Sequence, residues 1–393
     1  MATLDGAILY DVTEFALHPL RTGIQRVVFE ILRHWPKGAP RLVPVVLAED
    51  GDSFRRLPQA FAAEMTAHFE TGADLDAGTA VMRRLRRDAD PVSEQAVAAA
   101  RALLNPEVYY DPARARFYRR LSASGTIDIH QVVYDALPWL RPDLFSRDTT
   151  GLTMPYLHAL RTVGTLHFIS AMSRDDYARR VLRRGEAGMF VHPLGADGLG
   201  RAAPPFDPAN RTFASIGTIE PRKRHHILLE AAEGLWEEGH VFELILAGRA
   251  GWQTDDLQAR MADIAARRPG FHWLSDASDA QVRDVVTGAR ATLFCSDAEG
   301  YGLPPVESLA LGVPVMVSER IPATAGLPPL GQLRLKEVDV ASVRAALLRL
   351  LDDTEAARLR AEIAQLDLPT WKGHAESLAA VFSAGRAQHA ASA

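Results

Sequence analysis

Residues 291–317 (ATLFCSDAEGYGLPPVESLALGVPVMV) constrain the fold more than any other part of the chain. The short apolar runs 291–295 and 313–317 are typical of buried strands. The turn-rich loop between them leads to Pro304 and Pro305, either of which suits the first turn of a helix, and Gly312 suits its end. Such a strand, helix and strand form a right-handed βαβ unit, whose ligand sites lie at the carboxyl ends of the strands.

The loop of this unit contains two carboxylates, Glu299 and Glu307, separated by Gly300 and Gly302. Glycines before a helix N-terminus expose backbone N–H groups that bind anions. Two simpler interpretations stay open: Glu299 as a solvated loop acid, and Glu307 as an acid of the first helical turn that complements the helix dipole. The Gly-x-Gly lacks the third glycine of a dinucleotide fingerprint, which disfavours an NAD dehydrogenase.

Composition excludes several other classes of protein. A length of 393 residues favours two domains, and a net charge of −5 gives no reason to expect nucleic-acid binding. The N-terminus does not resemble a signal peptide and no apolar run is long enough to span a membrane, so a cytoplasmic protein without a transmembrane segment is expected. The single cysteine, Cys295, is predicted to be a buried thiol rather than a nucleophile.

A second strand–helix–strand unit is predicted at the start of the chain, with strands at 7–12 and 42–47 around an amphipathic helix at 24–35. Thr22 and Gly23 come directly before this helix. Taken alone, a glycine in this position most simply marks a turn.

Residues 50–121 are rich in Arg, Ala and Asp, and are interpreted as an insertion that decorates the first domain and contributes to acceptor choice. The segment contains the D-x-D triplets Asp74/Asp76 and Asp88/Asp90. They lie among arginines rather than at the end of a buried strand, so we interpret them as solvated surface and predict no metal site.

Further strands are predicted at 126–134 and 212–216. The first ends at Tyr134 and Asp135, where the simplest role of the aspartate is to cap the following turn. The second leads into Gly217, Arg222 and Lys223. Arginine offers a planar fork and lysine a point charge, a pair that suits a leaving diphosphate. On spacing alone, a solvated pair of cations is the simpler interpretation. The Pro-rich stretch 201–208 is the best candidate for a linker.

The run Glu299-Gly-Tyr-Gly-Leu-Pro-Pro-Val-Glu307 resembles the E-x7-E signature of retaining family 4 glycosyltransferases, and the Ala-x-Gly-x-Pro-Val run at 310–315 follows it as in that family. This resemblance implies the α/β GT-B fold: two Rossmann-like, doubly wound domains facing a cleft, with a C-terminal helix that crosses back to the first. The acceptor domain would then be 1–203, the nucleotide-sugar donor domain 204–367, and the crossover helix and tail 368–393.

The resemblance also implies roles in donor binding. Glu299 would position sugar hydroxyls, Glu307 would accept both ribose hydroxyls, and Arg222 with Lys223 would neutralise the leaving diphosphate without a metal. The other donor-binding residues implied are Gly217, Leu274, Ser275, Gly300, Tyr301, Gly302 and Leu303.

On the acceptor side, Thr22 and Gly23 would approach the diphosphate or the acceptor. Tyr134 and Asp135 stand where the family often has a His-Asp pair, and both are assigned to catalysis. In this role Tyr134 would hydrogen-bond the sugar or acceptor, and Asp135 would orient a neighbour.

The predicted reaction is retaining transfer of a hexose from a nucleotide diphosphate sugar to a glycan or lipid-linked acceptor, with no further cofactor. GDP-mannose is favoured because Thr-Gly-Ile and Glu-Pro-Arg-Lys resemble variants in mannosyltransferases of bacterial surface polysaccharides. Peripheral contact with the inner face of the cytoplasmic membrane fits such an acceptor. The alternatives are a nucleotide-sugar 2-epimerase or a pyridoxal-dependent phosphorylase of the same fold, and a non-catalytic carbohydrate-binding scaffold.

Overall fold

A computed structural model of the chain describes residues 4–70, 75–200 and 205–383. The chain divides into two compact units. The first contains Met1–Leu194 and Thr370–Ala393, and the second contains Gly195–Pro369. The division at 194/195 precedes the boundary predicted at 203/204, and part of the predicted linker, 201–204, lies outside the described residues.

The first unit alternates strands and helices along most of its length. Its strands are β1 (Ile8–Asp11), β2 (Leu42–Leu47), β3 (Phe54–Arg56), β4 (Asp90–Val92), β5 (Ala102–Asn105), β6 (Ile129–Val133), β7 (Thr165–Phe168) and β8 (Met189–Val191). Its helices up to residue 176 are α1 (Thr13–Leu17), α2 (Gly23–His34), α3 (Phe61–Glu70), α4 (Leu75–Arg87), α5 (Glu94–Ala99), α6 (Pro112–Ser124), α7 (Leu137–Leu140), α8 (Arg147–Leu160) and α9 (Ala171–Asp176). A π-helical stretch, Tyr177–Leu182, continues α9, and a 3-10 turn, Pro142–Leu144, follows α7.

The strands of this unit form one sheet in the order β4-β3-β2-β1-β5-β6-β7-β8. The neighbouring strands β2, β1, β5, β6, β7 and β8 all pair in parallel. At one edge of the sheet, β3 pairs antiparallel with β2, and β4 pairs antiparallel with β3. Leu9 and Leu103 lie side by side on the two central strands and are fully buried. Parallel sheets bury both faces, so their strands read as continuous apolar runs.

The prediction that 50–121 is only an insertion was wrong. β5, within that segment, lies at the centre of the sheet, where Ile8 pairs with Ala102 and Leu103 pairs with Ile129. Its four residues are too few to show a strand pattern beside Arg- and Ala-rich flanks. Only the part before β5, with its short antiparallel strands, is added to the edge of the sheet.

A buried ionic network fixes the end of β1 in the first unit. Arg114 on α6 donates to Asp11 and to Glu107, each at 2.9 Å, and to Glu14 at 3.1 Å. Glu107 also accepts the backbone N–H groups of Glu14 and Phe15 at 2.7 and 2.8 Å, which holds the start of α1. Burial raises the pKa of Glu107 to about 7; Asp11 adds to the rise and Arg114 opposes it.

The second unit has a regular βα repeat. Its strands are β9 (Thr212–Ile216), β10 (Glu243–Ala247), β11 (Phe271–Leu274), β12 (Ala291–Phe294), β13 (Val315–Ser318) and β14 (Gln332–Leu335). Its helices are α10 (His225–Glu237), α11 (Asp255–Arg267), α12 (Asp279–Thr287), α13 (Leu303–Ala310), α14 (Pro322–Ala325), α15 (Val340–Leu351) and α16 (Asp353–Ile363). A 3-10 turn, Pro221–Lys223, precedes α10.

The sheet of the second unit is entirely parallel, in the order β11-β10-β9-β12-β13-β14. This is the doubly wound Rossmann order, in which the chain reverses direction across the sheet between its first and fourth strands, here β9 and β12. Ligands of such sheets bind at that switch point, beyond the carboxyl ends of the strands. The Rossmann-like topology expected for this unit is therefore confirmed.

The chain ends with α17 (Trp371–Ser383), which belongs to the first unit. Its last turn packs against α2, where the rings of Phe382 and Trp35 lie 6.0 Å apart, and the carbonyl of Phe382 accepts from Arg101 at 2.7 Å. This confirms the expected return of the C-terminal helix to the first domain. Residues 384–393, which include most of the predicted tail, lie outside the described residues.

A line of histidines also anchors α17. The ring nitrogens of His130 and His167 are 2.9 Å apart, and those of His167 and His192 are 3.0 Å apart. His192 in turn lies 2.7 Å from the hydroxyl of Ser377 on α17. Burial lowers the pKa of His192 to about 3 and holds the pKa of His167 well below its ordinary value, so these two imidazoles are neutral at neutral pH. The line of histidines acts as a structural tie.

We predict that Arg114→Met strongly destabilises the first unit. Methionine keeps much of the volume but leaves two buried carboxylates without their cation, a change that costs about 3–5 kcal/mol. Urea unfolding followed by circular dichroism measures this loss. Arg116→Met, on the exposed side of the same helix, is the matched control and is expected to stay close to wild type; equal stability of the two variants would refute the proposed importance of the network.

Candidate functional site

Two loops meet at the switch point of the second unit. Residues 217–224 follow β9 and residues 295–302 follow β12, and the two strands are neighbours in the sheet. The loops are also joined by backbone, since the N–H of Asp297 donates to the carbonyl of Arg222 at 2.8 Å. The two halves of the predicted donor site therefore lie together at one edge of the sheet.

Glycines permit this close approach. Gly248 has φ of 156°, and a Cβ there would lie 2.1 Å from the carbonyl oxygen of Gly217. Gly217 itself has φ of 136°, and a Cβ would touch Cε of Lys223 at 3.4 Å. A side chain at either position would be strained whatever its size. The loop after β9 is thus pressed against the end of β10, and Lys223 packs over its first glycine.

Lys223 and Glu299 form a buried ion pair across the two loops. The Nζ of Lys223 lies 2.5 Å from Oε1 of Glu299 and 4.4 Å above the ring of Phe294. Ser296 also donates to Oε1, at 2.7 Å. Lys223 is only 8% exposed, so its charge is largely removed from water.

Arg222 completes a balanced charge cluster. It pairs with Glu299 at 2.5 Å and with Glu220 at 2.7 Å. Arg224 pairs with Asp297 at 2.9 Å. These six side chains are three cations and three carboxylates. Arg320 lies 4.0 Å from Asp297 and pairs with Glu337 at 2.9 Å, so the charges around the predicted diphosphate clamp remain balanced. An incoming anion would have to share the cations with Glu299 and Glu220.

The pKa of Glu299 reflects this pairing. Burial alone would raise the pKa of the carboxyl, but the charges of Lys223 and Arg222 outweigh it and lower the pKa to about 2. Burial lowers the pKa of Lys223, with attraction to Glu299 opposing the effect. Glu299 is therefore ionised throughout the neutral range.

The second half of the signature forms the start of α13. Gly302 precedes the helix with φ of 97°, and a Cβ there would lie 2.4 Å from Cγ2 of Ile321. Tyr301 is buried, and its carbonyl accepts from Ala323 at 2.9 Å. The bend at Gly302 therefore depends on the absence of a side chain.

The expectation that Glu307 lies in the first turn of its helix was wrong. The helix begins at Leu303, with Pro304 as its second residue, so Glu307 is the fifth residue and lies in the second turn. It is 7% exposed and faces the interior rather than complementing the helix dipole at the surface. The interpretation of Glu307 as an acid that complements the helix dipole is therefore not supported. Its role in ligand binding stays a prediction.

Other predicted donor residues lie farther along the sheet. Leu274 ends β11, two strands from β9, and its carbonyl accepts from Gly248 at 2.9 Å. Ser275 follows it and is exposed. The structure therefore brings Gly217, Lys223 and Glu299 together but leaves Leu274 and Ser275 apart from the charge cluster.

The predicted acceptor-side residues lie in the first unit. Thr22 caps α2 by accepting from Gln25 at 3.3 Å, and Gly23 is the first residue of that helix. Tyr134 is buried and its hydroxyl donates to the carbonyl of Pro106 at 2.6 Å. Asp135 accepts from the N–H of Leu137 at 3.0 Å, which is the capping contact considered above.

The hydroxyl of Tyr134 thus donates its proton to the protein, while its oxygen can still accept a hydrogen bond from a sugar or acceptor hydroxyl. The predicted role of Tyr134 stays a prediction. The ring of Tyr134 and the side chain of Asp135 still line a cavity of the first unit.

Sequence reasoning missed several residues of both units. Glu220, Ser296 and Asp297 complete the charge cluster, and their signal was present as polar residues directly after β9 and β12. Glu107 and Arg114 gave no local signal because their partners Asp11 and Glu14 are about a hundred residues away along the chain. Cys295, by contrast, is buried as predicted, and burial raises its pKa to about 12.

Metal-ligating clusters and membrane helices were also considered. Across residues 4–70, 75–200 and 205–383, no group of three or more His, Cys, Asp and Glu side chains is arranged to hold a metal ion. In the D-x-D triplets, Asp76 and Asp88 are exposed, Asp90 pairs with Arg56 at 2.9 Å, and Asp74 lies outside the described residues. None of the helices in that part of the chain has both the length and the apolarity needed to span a membrane.

We predict that Glu299 makes stability depend on pH between its lowered pKa of about 2 and the ordinary value of 4.5. Because the folded pKa is the lower one, the stabilisation is present above pH 4.5 and is lost as the pH falls towards 2. The difference in free energy of unfolding between wild type and Glu299→Gln should shrink by about 2 kcal/mol between roughly pH 5 and pH 3. Glu237→Gln, on the exposed face of α10, is the control; a pH-independent difference for Glu299→Gln would show that the ion pair does not stabilise the fold.

Comparison with known proteins identifies the second unit. Residues 200–365 match the family model of glycosyl transferases group 1. The serotype-specific mannosyltransferase WbdA of Escherichia coli is 28% identical over 79% of this chain and 37% of its own length. O-antigen chain mannosyltransferase B of E. coli is 36% identical over 26% of this chain and 27% of its own length. The chain thus spans well under half the length of either relative.

Solved structures share the fold over almost the whole chain. HepE of Anabaena, in complex with UDP and glucose, has a TM-score of 0.66 at 14% identity and covers 97% of this chain and 100% of its own. Sucrose-phosphate synthase of Thermosynechococcus elongatus has a TM-score of 0.62 at 14% identity, covering 98% and 100%. Residues 200–365 are therefore a glycosyl transferases group 1 domain, and the two α/β units of the chain have the fold of GT-B glycosyltransferases.

Proposed function

We propose that the protein is a retaining hexosyltransferase that uses a nucleotide diphosphate sugar, and that it transfers mannose from GDP-mannose to a saccharide or lipid-linked acceptor of a surface polysaccharide. The observation that carries the proposal is the pair of cations formed by the buried Lys223 and the partly buried Arg222, held against Glu299 at the switch point of the second unit. Mannose as the sugar is supported by the names of the relatives, of which WbdA and O-antigen chain mannosyltransferase B are both mannosyltransferases.

The reaction would break the bond between the anomeric carbon and the diphosphate oxygen, which keeps the electron pair. The acceptor hydroxyl forms the new bond to the anomeric carbon, and its proton passes to the departing diphosphate or to solvent. Negative charge therefore develops on the diphosphate, where Arg222 and Lys223 stabilise it. Charged donors fixed in place before the reaction are worth several kcal/mol of barrier, because they need no reorganisation.

The carboxylates have separate parts in this proposal. Glu299 pairs with both cations and stays ionised. When the diphosphate binds to those cations, the carboxylate of Glu299 can accept hydrogen bonds from the sugar hydroxyls and orient the ring. Glu307, inside the second turn of α13, would accept the ribose hydroxyls, since a carboxylate can accept two of them. The backbone from Gly300 to Leu303 would offer N–H groups to the sugar and phosphate.

Two protein cations at the diphosphate lead us to expect activity without a divalent metal. Turnover should survive excess EDTA, and a strict requirement for Mg²⁺ would contradict this part of the proposal. The cytoplasmic location and the peripheral membrane contact expected from the sequence stay predictions.

The alternatives differ in their products. A nucleotide-sugar 2-epimerase would release free nucleotide and a rearranged sugar without any acceptor. A carbohydrate-binding scaffold would bind glycan without being stabilised by nucleotides. Product analysis with GDP-mannose, with and without a mannose oligosaccharide, separates these functions from glycosyl transfer.

We predict that Lys223→Ala lowers the rate of GDP release from GDP-mannose by about 10²–10³-fold, the usual cost of removing a group that stabilises the transition state. Glu307→Ala should also lose most turnover, because the donor loses its predicted contact to the ribose hydroxyls. Far-UV circular dichroism should remain native. Lys336→Ala, an exposed lysine of the same unit, is the control and should retain wild-type turnover. Unchanged turnover in either site variant would remove that residue from the donor site.

A further inference from the structure

The first unit contains a cavity that the donor chemistry does not use. Its volume is about 180 Å³, and it opens beyond the carboxyl ends of β5 and β6. Tyr134 and Asp135 follow β6, Tyr110 follows β5, and Trp139 and Phe145 come from the segment of α7 and the turn after it. We call this cavity the aromatic pocket.

The size of the aromatic pocket limits its ligand. Pockets for drug-sized ligands and cofactors have about 300–1,000 Å³, so a cavity of about 180 Å³ suits one six-membered ring rather than a nucleotide. The cavity is open at one side, which would let a longer ligand continue outside it.

Its charge limits the ligand further. The thirteen lining residues include one carboxylate, Asp135, and no Lys, Arg or His. Ile24 and Thr149 of the lining lie in the first turns of α2 and α8, whose N–H groups could face an anion. Phosphate sites in proteins also rely on Arg or Lys, and the lining offers only a carboxylate, which disfavours a nucleotide, a sugar phosphate or the diphosphate of a lipid carrier. An uncharged ligand with hydroxyl groups fits better.

The aromatic side chains give the matching shape. Trp139 and Tyr110 are 46% and 43% exposed, although large aromatic residues are usually buried to a greater extent. A pyranose ring has apolar C–H faces and a rim of hydroxyls, so it can stack on such rings while its edge meets polar groups. Asp135 and Tyr110 both line the pocket, so the carboxylate and the phenol ring face the same cavity.

The walls of the pocket are held in position by the protein itself. Tyr134 donates to Pro106 at 2.6 Å and Tyr156 donates to Val132 at 3.3 Å. Thr150 donates to the carbonyl of Pro138 at 2.9 Å, next to Trp139. A site whose groups are fixed before the ligand arrives loses less entropy on binding.

We propose that the aromatic pocket binds one uncharged sugar ring, stacked on Trp139 and Tyr110 and hydrogen-bonded by Asp135. This inference rests on the proposed function, in which the ring belongs to the saccharide acceptor. The rings of Trp139 and Tyr110 would then recognise the acceptor. Tyr134 would have a structural role in the wall of the pocket instead of its predicted catalytic role.

Octyl α-D-mannopyranoside is a suitable probe because its ring and its alkyl chain give separate signals in saturation-transfer NMR. Wild-type protein should saturate the ring protons more than the chain. Trp139→Ala should raise the dissociation constant about tenfold, near the upper range measured for an aromatic contact, whereas Trp139→Phe should keep most of the binding. Leu152→Ala, an exposed apolar residue of α8 that does not line the pocket, should bind as wild type.

Three outcomes would overturn the proposal: no saturation of the ring by wild-type protein, saturation confined to the alkyl chain, or undiminished binding by Trp139→Ala. The affinity for GDP, measured on the same samples, should be the same in wild type and Trp139→Ala. If wild-type protein does not bind GDP, the proposed donor site is refuted, whatever the result for the aromatic pocket. The two proposals can therefore be refuted independently.

Discussion

The ion pair between Lys223 and Glu299 holds together the two loops that form the proposed donor site of the second unit. It joins the loops after β9 and β12, and these can meet only because the two strands are neighbours at the switch point of a parallel sheet. Breaking one partner of a buried pair leaves an uncompensated charge, which is more costly than the net gain from forming it. The cluster therefore keeps a high density of charge in place while it stays neutral overall.

This neutrality has a consequence for ligand binding. A cluster of unpaired cations would repel itself and attract any anion, whereas the cations here already have carboxylate partners. A diphosphate must compete with those partners, and only a ligand that also satisfies Glu299 through hydroxyl groups recovers the full interaction. We expect the site to favour a sugar-bearing diphosphate over a bare anion for this reason. The aromatic pocket of the first unit shows the opposite chemistry, with no cation in its lining, so the two sites would accept ligands of different charge.

The sequence predicted the second unit well because its signals are local. Strand runs such as Thr212–Ile216, the glycines at turns and the Glu299–Glu307 run all lie within short windows, and regular βα repeats place them without further information. The first unit was harder. β5 has only four residues, and the Arg114 network joins residues about a hundred positions apart, so no window of the sequence could reveal either. The hydrogen bond from Tyr134 to Pro106 was hidden for a related reason, because it joins the ends of two strands that are 28 residues apart in the chain.

The most direct test of the central claim, that Lys223 recognises the diphosphate, is calorimetric titration of GDP and GMP into wild type and Lys223→Ala. The two nucleotides differ by the β-phosphate, and a charge-assisted contact to it is worth about 1.5–3 kcal/mol, or roughly tenfold or more in affinity. Wild type should prefer GDP over GMP by at least that factor, and Lys223→Ala should lose the preference while GMP binds as before. A preference for GDP that survives in Lys223→Ala would contradict the central claim.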